Sequence, residues 1–288
     1  MTHKNARMTV LSVLLPASML LLSLGQIGQY FSRHGIFAKL TARLNDNLSS
    51  TNIAIRDCSH NYTINIMSLN PVVFYLDNFI KESEVQHLLE ITKNEFDDSR
   101  VFLNGQAVVD KSYRSSQSAL VDIDDPVSQC LSQRLKALVG NVQHEDTERL
   151  HLVKYGVGGY FNLHNDWLTR PLEATGKDGS PRPYNRAGSV FAYLDDSCTG
   201  GETYFPEVQG VPDNAEGTKF SRSSTGKGLL VKPRRGSAVF WISAHMNGTG
   251  DERMVHASLP VTSGTKVGLN MFSIYYLDTP LVGSMKGQ

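Results

Sequence analysis

Three residues of this chain have the types and the spacing of a metal-binding set. His164 and Asp166 flank a single residue, and His256 follows His164 by 92 positions. In an extended segment residues i and i+2 lie on one face, so the first two side chains can point to the same place. Two imidazoles and one carboxylate that leave coordination positions open are the ligands of non-haem Fe(II) oxygenases. The pattern therefore predicts an iron site whose third ligand comes from a distant strand.

Two other histidines compete for these roles. His144 and Asp146 form a second His-x-Asp triplet, but they lie in the charged stretch HEDTER just after a predicted helix. That setting indicates a solvated loop. His245 lies just beyond a predicted strand, beside an Asn-Gly turn signal, and we prefer His256 as the third ligand.

Lys266 follows His256 by 10 residues, across a turn signal at Thr262–Thr265. This spacing predicts that the two residues lie on neighbouring antiparallel strands. A cation buried beside a barrel metal is unfavourable unless an anion pairs with it. A carboxylate co-substrate that chelates the metal at one end and meets Lys266 at the other fulfils that requirement. The alternative is a surface lysine on an edge strand.

The elements that must position these residues follow from periodicity. Ordered structure is predicted to begin at Pro71 with a short apolar strand. Residues 81–93 have helical spacing with Ser83 as the expected N-cap, and residues 126–139 form a second amphipathic helix that Gly140 ends.

After Gly140 the pattern changes to short strands between turn residues. These β-type runs cover residues 150–155, 190–194, 228–231, 237–241, 254–259 and 266–276. Two helices followed by many short strands predict an α+β domain whose core is a double-stranded β-helix (jelly-roll, cupin-like), flanked by N-terminal helices. Residues 207–227 are a polar Gly/Ser-rich insertion, which is typical of a functional or disordered loop.

Composition limits the classes of function. The 288 residues include 28 Lys+Arg and 28 Asp+Glu, so the formal net charge is zero. No strongly basic face is expected, which argues against nucleic-acid binding. A hydrophobic share of 40% is that of a folded protein, and the length fits one domain after an N-terminal targeting segment.

The N-terminal region is organised differently from the rest. Met8–Leu24 is mostly apolar and uncharged, so residues 1–33 are expected to be a signal anchor or a cleaved signal peptide. Residues 34–70 are polar and are predicted to be a stalk or linker. The domain is expected to span residues 71–278, with the barrel core at about 146–278 and a tail at 279–288.

Cysteines and acceptor triplets fit a lumenal location. Cys58 could pair with Cys130 or Cys198 in one disulfide, and the sequence does not choose between them. Asn47, Asn61 and Asn247 each begin an Asn-x-Ser/Thr triplet, the glycosylation acceptor pattern, although such triplets often arise by chance.

Further motifs surround the predicted ligands. They are the upstream segment Tyr113-Arg114-Ser115-Ser116, then Tyr155-Gly156-x-Gly158-Gly159-Tyr160-x3-His164-x-Asp166, then Arg186 and Tyr193-Leu194, then Gly200-Gly201-Glu202-Thr203-x-Phe205-Pro206, Lys232-Pro233-x2-Gly236-x-Ala238-x-Phe240-Trp241 and His256-Ala257-x-Leu259-Pro260-Val261-x2-Gly264-x-Lys266. Taken together, these motifs resemble the prolyl 4-hydroxylase branch of the Fe(II)/2-oxoglutarate dioxygenases. The resemblance covers about Pro71 to Tyr276.

The resemblance implies roles for individual residues. His164, Asp166 and His256 would hold Fe(II), and Lys266 would pair with the distal carboxylate of 2-oxoglutarate. The hydroxyls of Tyr155 and Thr203 would also contact 2-oxoglutarate, and L-ascorbate would restore iron after uncoupled turnover. Where the family usually has Trp, six residues past the lysine, this chain has Phe272, which lacks an N–H donor.

The resemblance also implies an activity. The expected reaction hydroxylates a proline in a polypeptide at the 4-position and converts 2-oxoglutarate to succinate and CO2. Hydroxylation of a free amino acid or small natural product, and a non-catalytic lumenal binding module, remain alternatives. The expected location is the endoplasmic reticulum membrane with one span and a lumenal domain, or secretion if the signal is cleaved.

Overall fold

The computed structural model describes residues 57–103, 106–140, 146–175, 179–245 and 247–279. These residues belong to one unit, Ala54–Gln288. The predicted targeting segment 1–33, most of the predicted linker, His144 and nearly all of the tail lie outside the described residues. Within the described ranges, no helix has the length and apolar character needed to cross a membrane.

Two helices precede the strand-rich core. Helix α1 is Glu82–Thr92 and helix α2 is Pro126–Leu138, so both predicted helices are confirmed. Helix α1 begins two residues earlier than a Ser83 cap would place it, because Glu84 accepts a hydrogen bond from the main-chain N–H of Lys81 at 2.9 Å. Asp125 caps α2 by accepting from the N–H groups of the second and third helical residues.

Nineteen strands are present within the described ranges. They are β1 Thr63–Leu69, β2 Val72–Asp77, β3 Asp97–Asp98, β4 Val101–Leu103, β5 Gln106–Val108, β6 Arg114–Ser115, β7 Gln117–Leu120, β8 His151–Tyr155, β9 Tyr160–His164, β10 Leu172–Thr175, β11 Pro181–Asp195, β12 Cys198–Gly200, β13 Thr203–Phe205, β14 Phe220–Ser221, β15 Leu229–Val231, β16 Ala238–Ile242, β17 His256–Ser258, β18 Val261–Gly264 and β19 Lys266–Tyr276.

The strands form two main sheets. The larger has the order β1-β2-β16-β11-β19-β8-β7-β3 with β10 on β11, and the smaller has the order β14-β15-β13-β17-β9-β6. Along the chain, the core strands from β8 to β19 cross repeatedly from one sheet to the other. This alternation is the winding of a double-stranded β-helix, so the predicted fold class is confirmed.

Apolar side chains fill both faces of the larger sheet. One cluster contains Val153, Tyr193 and Trp241 from the larger sheet together with Phe205 and Val231 from the smaller one, and it forms the interior between the sheets. A second cluster joins Leu88 of α1 and Leu131 of α2 to the opposite face of the larger sheet. The helices therefore pack on the outer face of the larger sheet, and its inner face lines the interior between the two sheets.

Strand β1 corrects the prediction that residues up to 70 are linker. Residues 63–69 pair antiparallel with β2 as the edge of the larger sheet. Their apolar side chains are largely exposed, as Ile66 (61%) and Leu69 (70%) show. A strand that buries so little apolar surface has no strong sequence signature.

A disulfide ties the segment before β1 to α2, and a buried ion pair ties α1 to α2. The sulfurs of Cys58 and Cys130 are bonded, which settles the pairing that the sequence left open, and Cys198 is a free thiol. Arg134 of α2 forms two hydrogen bonds to the Glu84 carboxylate, at 2.9 and 3.0 Å, and both side chains are almost completely buried.

The insertion at 207–227 is partly ordered rather than a plain loop. Its residues Phe220 and Ser221 form β14, which pairs with β15. Basic residues in and near it are engaged within the chain: Lys219 lies 3.1 Å from the Asp77 carboxylate and Lys232 donates to the Gly217 carbonyl at 2.7 Å. Both ammonium groups therefore have partners within the chain.

Candidate active site

The structure brings the three predicted metal ligands together. His164 ends β9, Asp166 lies in the bend that follows, and His256 begins β17 directly opposite His164 in the pairing register. One potential ligand atom from each side chain lies within 4.8 Å of the other two. Asp166 and His256 are buried, at 5% and 6% exposure. The distant-strand origin of the third ligand is as predicted, although the binding of iron itself stays a prediction.

Hydrogen bonds orient both imidazoles. Nδ1 of His164 lies 2.8 Å from the carbonyl oxygen of Asn162, and Nδ1 of His256 lies 2.9 Å from that of Met254. A carbonyl oxygen can only accept, so each Nδ1 carries the proton. Each Nε2 is then left with a lone pair, which is the arrangement that metal-binding histidines use.

The ionisation states also suit a divalent cation. Burial, and to a smaller extent the neighbouring His256, lower the pKa of His164 to about 3, so this imidazole is neutral at pH 7. Burial alone would raise the pKa of Asp166, but the facing imidazoles of His256 and His164 hold it below its usual value. Neutral imidazoles and an ionised carboxylate are the forms that bind metal, so the donor set fits Fe(II).

Aromatic rings enclose the ligands. The Phe161 ring stacks on His164 with 3.6 Å between centroids and 18° between planes. On the other side, the Trp241 and Phe205 rings lie 4.7 and 5.5 Å from the His256 ring. These contacts fix the imidazoles in place and exclude water from one side of the site.

Lys266 is completely buried near this cluster. Its ammonium group donates to the carbonyl of Gly201 at 2.7 Å and to the hydroxyl of Ser258. It also lies 4.3 Å from the centre of the Tyr155 ring. No carboxylate of the described residues is within ion-pair distance, and burial lowers the pKa of Lys266 from 10.5 to about 7. A buried ammonium group with neutral partners is ready to receive an anion.

The strand that carries Lys266 is not the neighbour of the His256 strand that the sequence predicted. Lys266 begins β19 and pairs with Tyr155 of β8 in the larger sheet, whereas His256 lies in the smaller sheet. Strand β18 lies between them in sequence and pairs with β12, so they are not on neighbouring strands. They meet across the interior instead, because Ser258 shares a face with His256 and contacts the Lys266 ammonium.

The glycine pair before Glu202 has a specific packing role. Gly201 has φ of +72°, and a Cβ there would lie 3.0 Å from Cγ2 of Val261 and 3.3 Å from Cδ of Lys266. Any side chain at this position would be strained and would press on the lysine stem. Gly201 thus both makes room for the Lys266 side chain and accepts its hydrogen bond.

Tyr155 and Thr203, to which the resemblance assigns contacts with 2-oxoglutarate, are both buried; the Tyr155 ring lies beside the Lys266 ammonium, and Thr203 pairs with Ser258 on the neighbouring strand. Tyr155 is 2% exposed, and its hydroxyl interacts with Ser258 and Ser116. The Thr203 hydroxyl lies 2.7 Å from that of Tyr193. Both hydroxyls belong to the same buried interior as the lysine, and their contact with 2-oxoglutarate stays a prediction.

Arg114 is a second buried cation at the site. Its guanidinium lies 4.5 Å from the centre of the Phe161 ring, on which His164 also stacks. Its Nε donates to Ser116, but its buried Nη2 has no hydrogen-bond partner among the described residues. Burial lowers the pKa of Arg114. Arg114 lies in the segment Tyr113-Arg114-Ser115-Ser116, and the sequence pattern alone indicates no role for its side chain.

Phe272 and the competing histidines have structural explanations. The guanidinium of Arg186 lies 3.8 Å from the centre of the Phe272 ring and forms two hydrogen bonds with Glu148, so an aromatic ring still packs at this position without an indole N–H.

Asp146 of the second His-x-Asp triplet accepts a hydrogen bond from the Tyr276 hydroxyl at 2.7 Å. His245 is exposed and lies outside the ligand cluster.

An open cavity of about 460 Å³ lies on the smaller sheet, and none of the three ligands is among its lining residues. Strands β9 and β17, which carry the two histidines, form most of its wall, and the lining is mainly apolar. The lining residues are Tyr160, Phe161, Asn162, Leu163, Tyr204, Ala257, Ser258, Leu259 and Pro260.

Residues 150–273 match the family model of the 2OG-Fe(II) oxygenase superfamily. The chain thus contains a domain that matches this superfamily, and its homologues include prolyl 4-hydroxylases. Prolyl 4-hydroxylase subunit alpha-3 of Rattus norvegicus is 32% identical over 203 residues, which cover 70% of this chain and 33% of that protein. Probable prolyl 4-hydroxylase 6 of Arabidopsis thaliana is 28% identical over 212 residues, which cover 69% of this chain and 68% of that protein.

This chain therefore spans about a third of the rat subunit's length. A solved structure similar to the chain is the viral collagen prolyl hydroxylase of Paramecium Bursaria Chlorella virus-1 in complex with 2OG. It has a TM-score of 0.48 and 20% identity, and the match covers 70% of this chain and 96% of that one.

Proposed function

We propose that this chain is an Fe(II)- and 2-oxoglutarate-dependent dioxygenase that hydroxylates peptidyl proline at the 4-position. The observation that carries the proposal is Lys266, a buried ammonium group without a carboxylate partner in the described structure, in the same interior as the His164, Asp166 and His256 cluster. A metal-chelating dicarboxylate satisfies both features at once. A binding module without turnover has no physical need for a cation buried beside three metal ligands.

The protein's own groups bind and orient. His164, Asp166 and His256 would hold the iron, and Lys266 would pair with the far carboxylate of 2-oxoglutarate, assisted by the hydroxyls of Tyr155 and Thr203. When bound, the iron with 2-oxoglutarate and O2 supplies the oxidising power that hydroxylates a C–H bond and releases succinate and CO2. No side chain is required as an acid or base. Ascorbate would keep the iron reduced.

The cavity supports a proline-containing peptide as substrate. Proline-rich segments adopt an extended helix that docks in aromatic-lined grooves. Tyr160, Phe161 and Tyr204 supply such a lining, and the Phe161 ring also stacks on the ligand His164. The Nη2 group of Arg114, which has no hydrogen-bond partner among the described residues, could donate a hydrogen bond to a carbonyl of the peptide. The names of the relatives from Rattus norvegicus and Arabidopsis thaliana agree with this substrate class.

We also propose that the domain works in the lumen of the endoplasmic reticulum. Residues 1–33 would anchor it in the membrane, or would be removed to release a secreted form. The Cys58–Cys130 disulfide supports this location, because such bonds persist in oxidising compartments.

Mass spectrometry of peptides tests the function. The full chain is incubated with Fe(II), 2-oxoglutarate, ascorbate and either a proline-rich peptide or free proline, and succinate is measured in parallel. We expect one added oxygen on the peptide and an equal amount of succinate. The D166A and H256A variants should lose both products, whereas H245A, a matched histidine outside the cluster, should retain them. Full turnover by D166A would refute the iron assignment, and modification of free proline alone would refute the peptide substrate.

A further inference from the structure

The loop that joins β16 to β17 contains a small hairpin with an exposed asparagine at its tip. The main-chain N–H of His245 donates to the Thr249 carbonyl at 2.7 Å, and the N–H of Gly248 donates to the His245 carbonyl at 2.9 Å. An isolated bridge pairs Ala244 with Gly250 at the base of the loop. Asn247 stands at the tip of this hairpin and is exposed to solvent.

The side-chain amide of Asn247 has a defined orientation. Its Oδ1 accepts from the main-chain N–H of Thr249 at 3.0 Å and from the Thr249 hydroxyl at 2.7 Å. The oxygen end of the amide is therefore turned toward its own loop. The Nδ2 atom has no hydrogen-bond partner among the described residues and is left for an external group. Asn247, Gly248 and Thr249 form one Asn-x-Thr acceptor triplet.

A second acceptor triplet begins at Asn61, three residues after Cys58. Asn61 is exposed, and its main-chain carbonyl accepts from Nδ2 of Asn78 at 3.3 Å. Its own side-chain amide forms no hydrogen bond within the described part of the chain. Thr63, the third residue of the triplet, begins the edge strand β1 and is also exposed. The attachment of a bulky group at Asn61 would therefore displace no packed side chain.

We infer that Asn247 and Asn61 are N-glycosylated. This inference rests on the proposed lumenal location, which the Cys58–Cys130 disulfide supports. In the reaction, one N–H bond of Nδ2 is replaced by a bond to the anomeric carbon of an oligosaccharide. The donor is a lipid-linked oligosaccharide diphosphate; its bond between the anomeric carbon and the diphosphate oxygen breaks, and the lipid diphosphate leaves with the displaced proton taken up by solvent. No oxidant or reductant is involved.

The test uses the full chain expressed in a eukaryotic secretory host, with N47Q introduced so that only the two triplets described above remain. The purified protein is treated with a glycan-releasing amidase in heavy-oxygen water, which converts each glycosylated Asn to a labelled Asp. Peptide mass spectrometry should find the label at Asn247 and Asn61. Asn104, which precedes a glycine as Asn247 does but begins no acceptor triplet, should remain unlabelled and controls for spontaneous deamidation, which is fastest at Asn-Gly.

Variants at the third position separate glycosylation from a general effect on the loop. T249A should abolish the label at residue 247 only, whereas T249S keeps the hydroxyl and should retain the label. N247Q should leave succinate formation unchanged, because the hairpin tip is not part of the ligand cluster or the lysine pocket.

The outcomes distinguish the inference from the proposals on which it depends. An unlabelled chain with an intact Cys58–Cys130 disulfide would have reached the lumen without modification, and this would overturn the inference alone. An unlabelled chain with reduced cysteines would overturn the inference together with the lumenal location. Peptide hydroxylation by either sample would leave the proposed activity standing.

Discussion

Replacing Lys266 with methionine should stabilise the empty protein and abolish its response to 2-oxoglutarate. Methionine keeps a long unbranched side chain but removes the charge. With a pKa of about 7 in the fold and an ordinary value of 10.5 when unfolded, the buried ammonium group destabilises the fold by about 4 kcal/mol at pH 7. The K266M variant escapes that destabilisation.

Lost hydrogen bonds offset part of this gain. The Gly201 carbonyl would be left buried without its donor, which costs about 1–3 kcal/mol. The Ser258 hydroxyl still has Tyr155 as a partner. The net expectation is therefore that K266M raises the free energy of unfolding at pH 7 by about 1–3 kcal/mol.

The pH dependence of this difference gives its signature. Between the folded pKa and the unfolded pKa, the unfolded chain binds one more proton at Lys266, so wild-type stability rises with pH. The advantage of K266M should accordingly shrink by about 2 kcal/mol between pH 7 and pH 9. A charge-independent packing effect would not change over this range.

Urea unfolding of the full chain measures these differences. Each protein is unfolded at pH 7 and pH 9, with and without Mn(II) and 2-oxoglutarate, where Mn(II) replaces iron to prevent turnover. At a 2-oxoglutarate concentration of 100 times its Kd, wild type should gain about 2.7 kcal/mol and K266M close to none. A K266M protein that is less stable than wild type at pH 7, or that gains equally from 2-oxoglutarate, would refute the assigned role of Lys266.

Three further predictions concern the groups around the site and the helices. R134M should lower the free energy of unfolding by about 3–5 kcal/mol, because it leaves the Glu84 carboxylate buried and unpaired, as urea titration would show. C58A should lower it by about 2–4 kcal/mol, because Cys58 and Cys130 close a chain segment with a separation of 72 residues, and added reductant should then have no further effect. T203V should weaken 2-oxoglutarate binding roughly 10-fold by calorimetry with Mn(II), since one hydroxyl hydrogen bond of about 1–1.5 kcal/mol is removed; an unchanged Kd would exclude Thr203 from the co-substrate contacts.

The sequence allowed much of the fold and the ligand set to be predicted because both depend on local patterns. The helix at 126–138 has an apolar stripe and an Asp-Pro start, and its bounds agree closely with the prediction. His164 and Asp166 are separated by one residue, so their proximity follows from backbone geometry alone. Edge strand β1 was missed, because its apolar residues are exposed and its pairing with β2 is not visible as burial.

The environment of Lys266 could not be derived in the same way. The ten-residue spacing from His256 suggested neighbouring strands, but the intervening β18 pairs with β12 and sends the chain back to the other sheet. Contacts across the interior depend on the winding of the whole domain, which no local pattern records. Of the groups around Lys266, only Ser258 could have been placed near the ligands from the sequence, because it lies two residues after His256 and therefore on the same face of the strand.

The arrangement of Lys266 links stability to co-substrate binding. The fold tolerates this buried ammonium group because a carbonyl and a hydroxyl accept hydrogen bonds from it, but neither partner neutralises its charge. Because burial already lowers its pKa to about 7, the empty site holds this lysine near the midpoint of its titration at neutral pH. A carboxylate that arrives beside it favours the charged form, so 2-oxoglutarate binding must draw a proton onto Lys266, and the affinity for 2-oxoglutarate must fall as the pH rises above 7. The instability of the empty interior and its selectivity for a dicarboxylate thus have one physical origin, the charge that the fold buries without a partner.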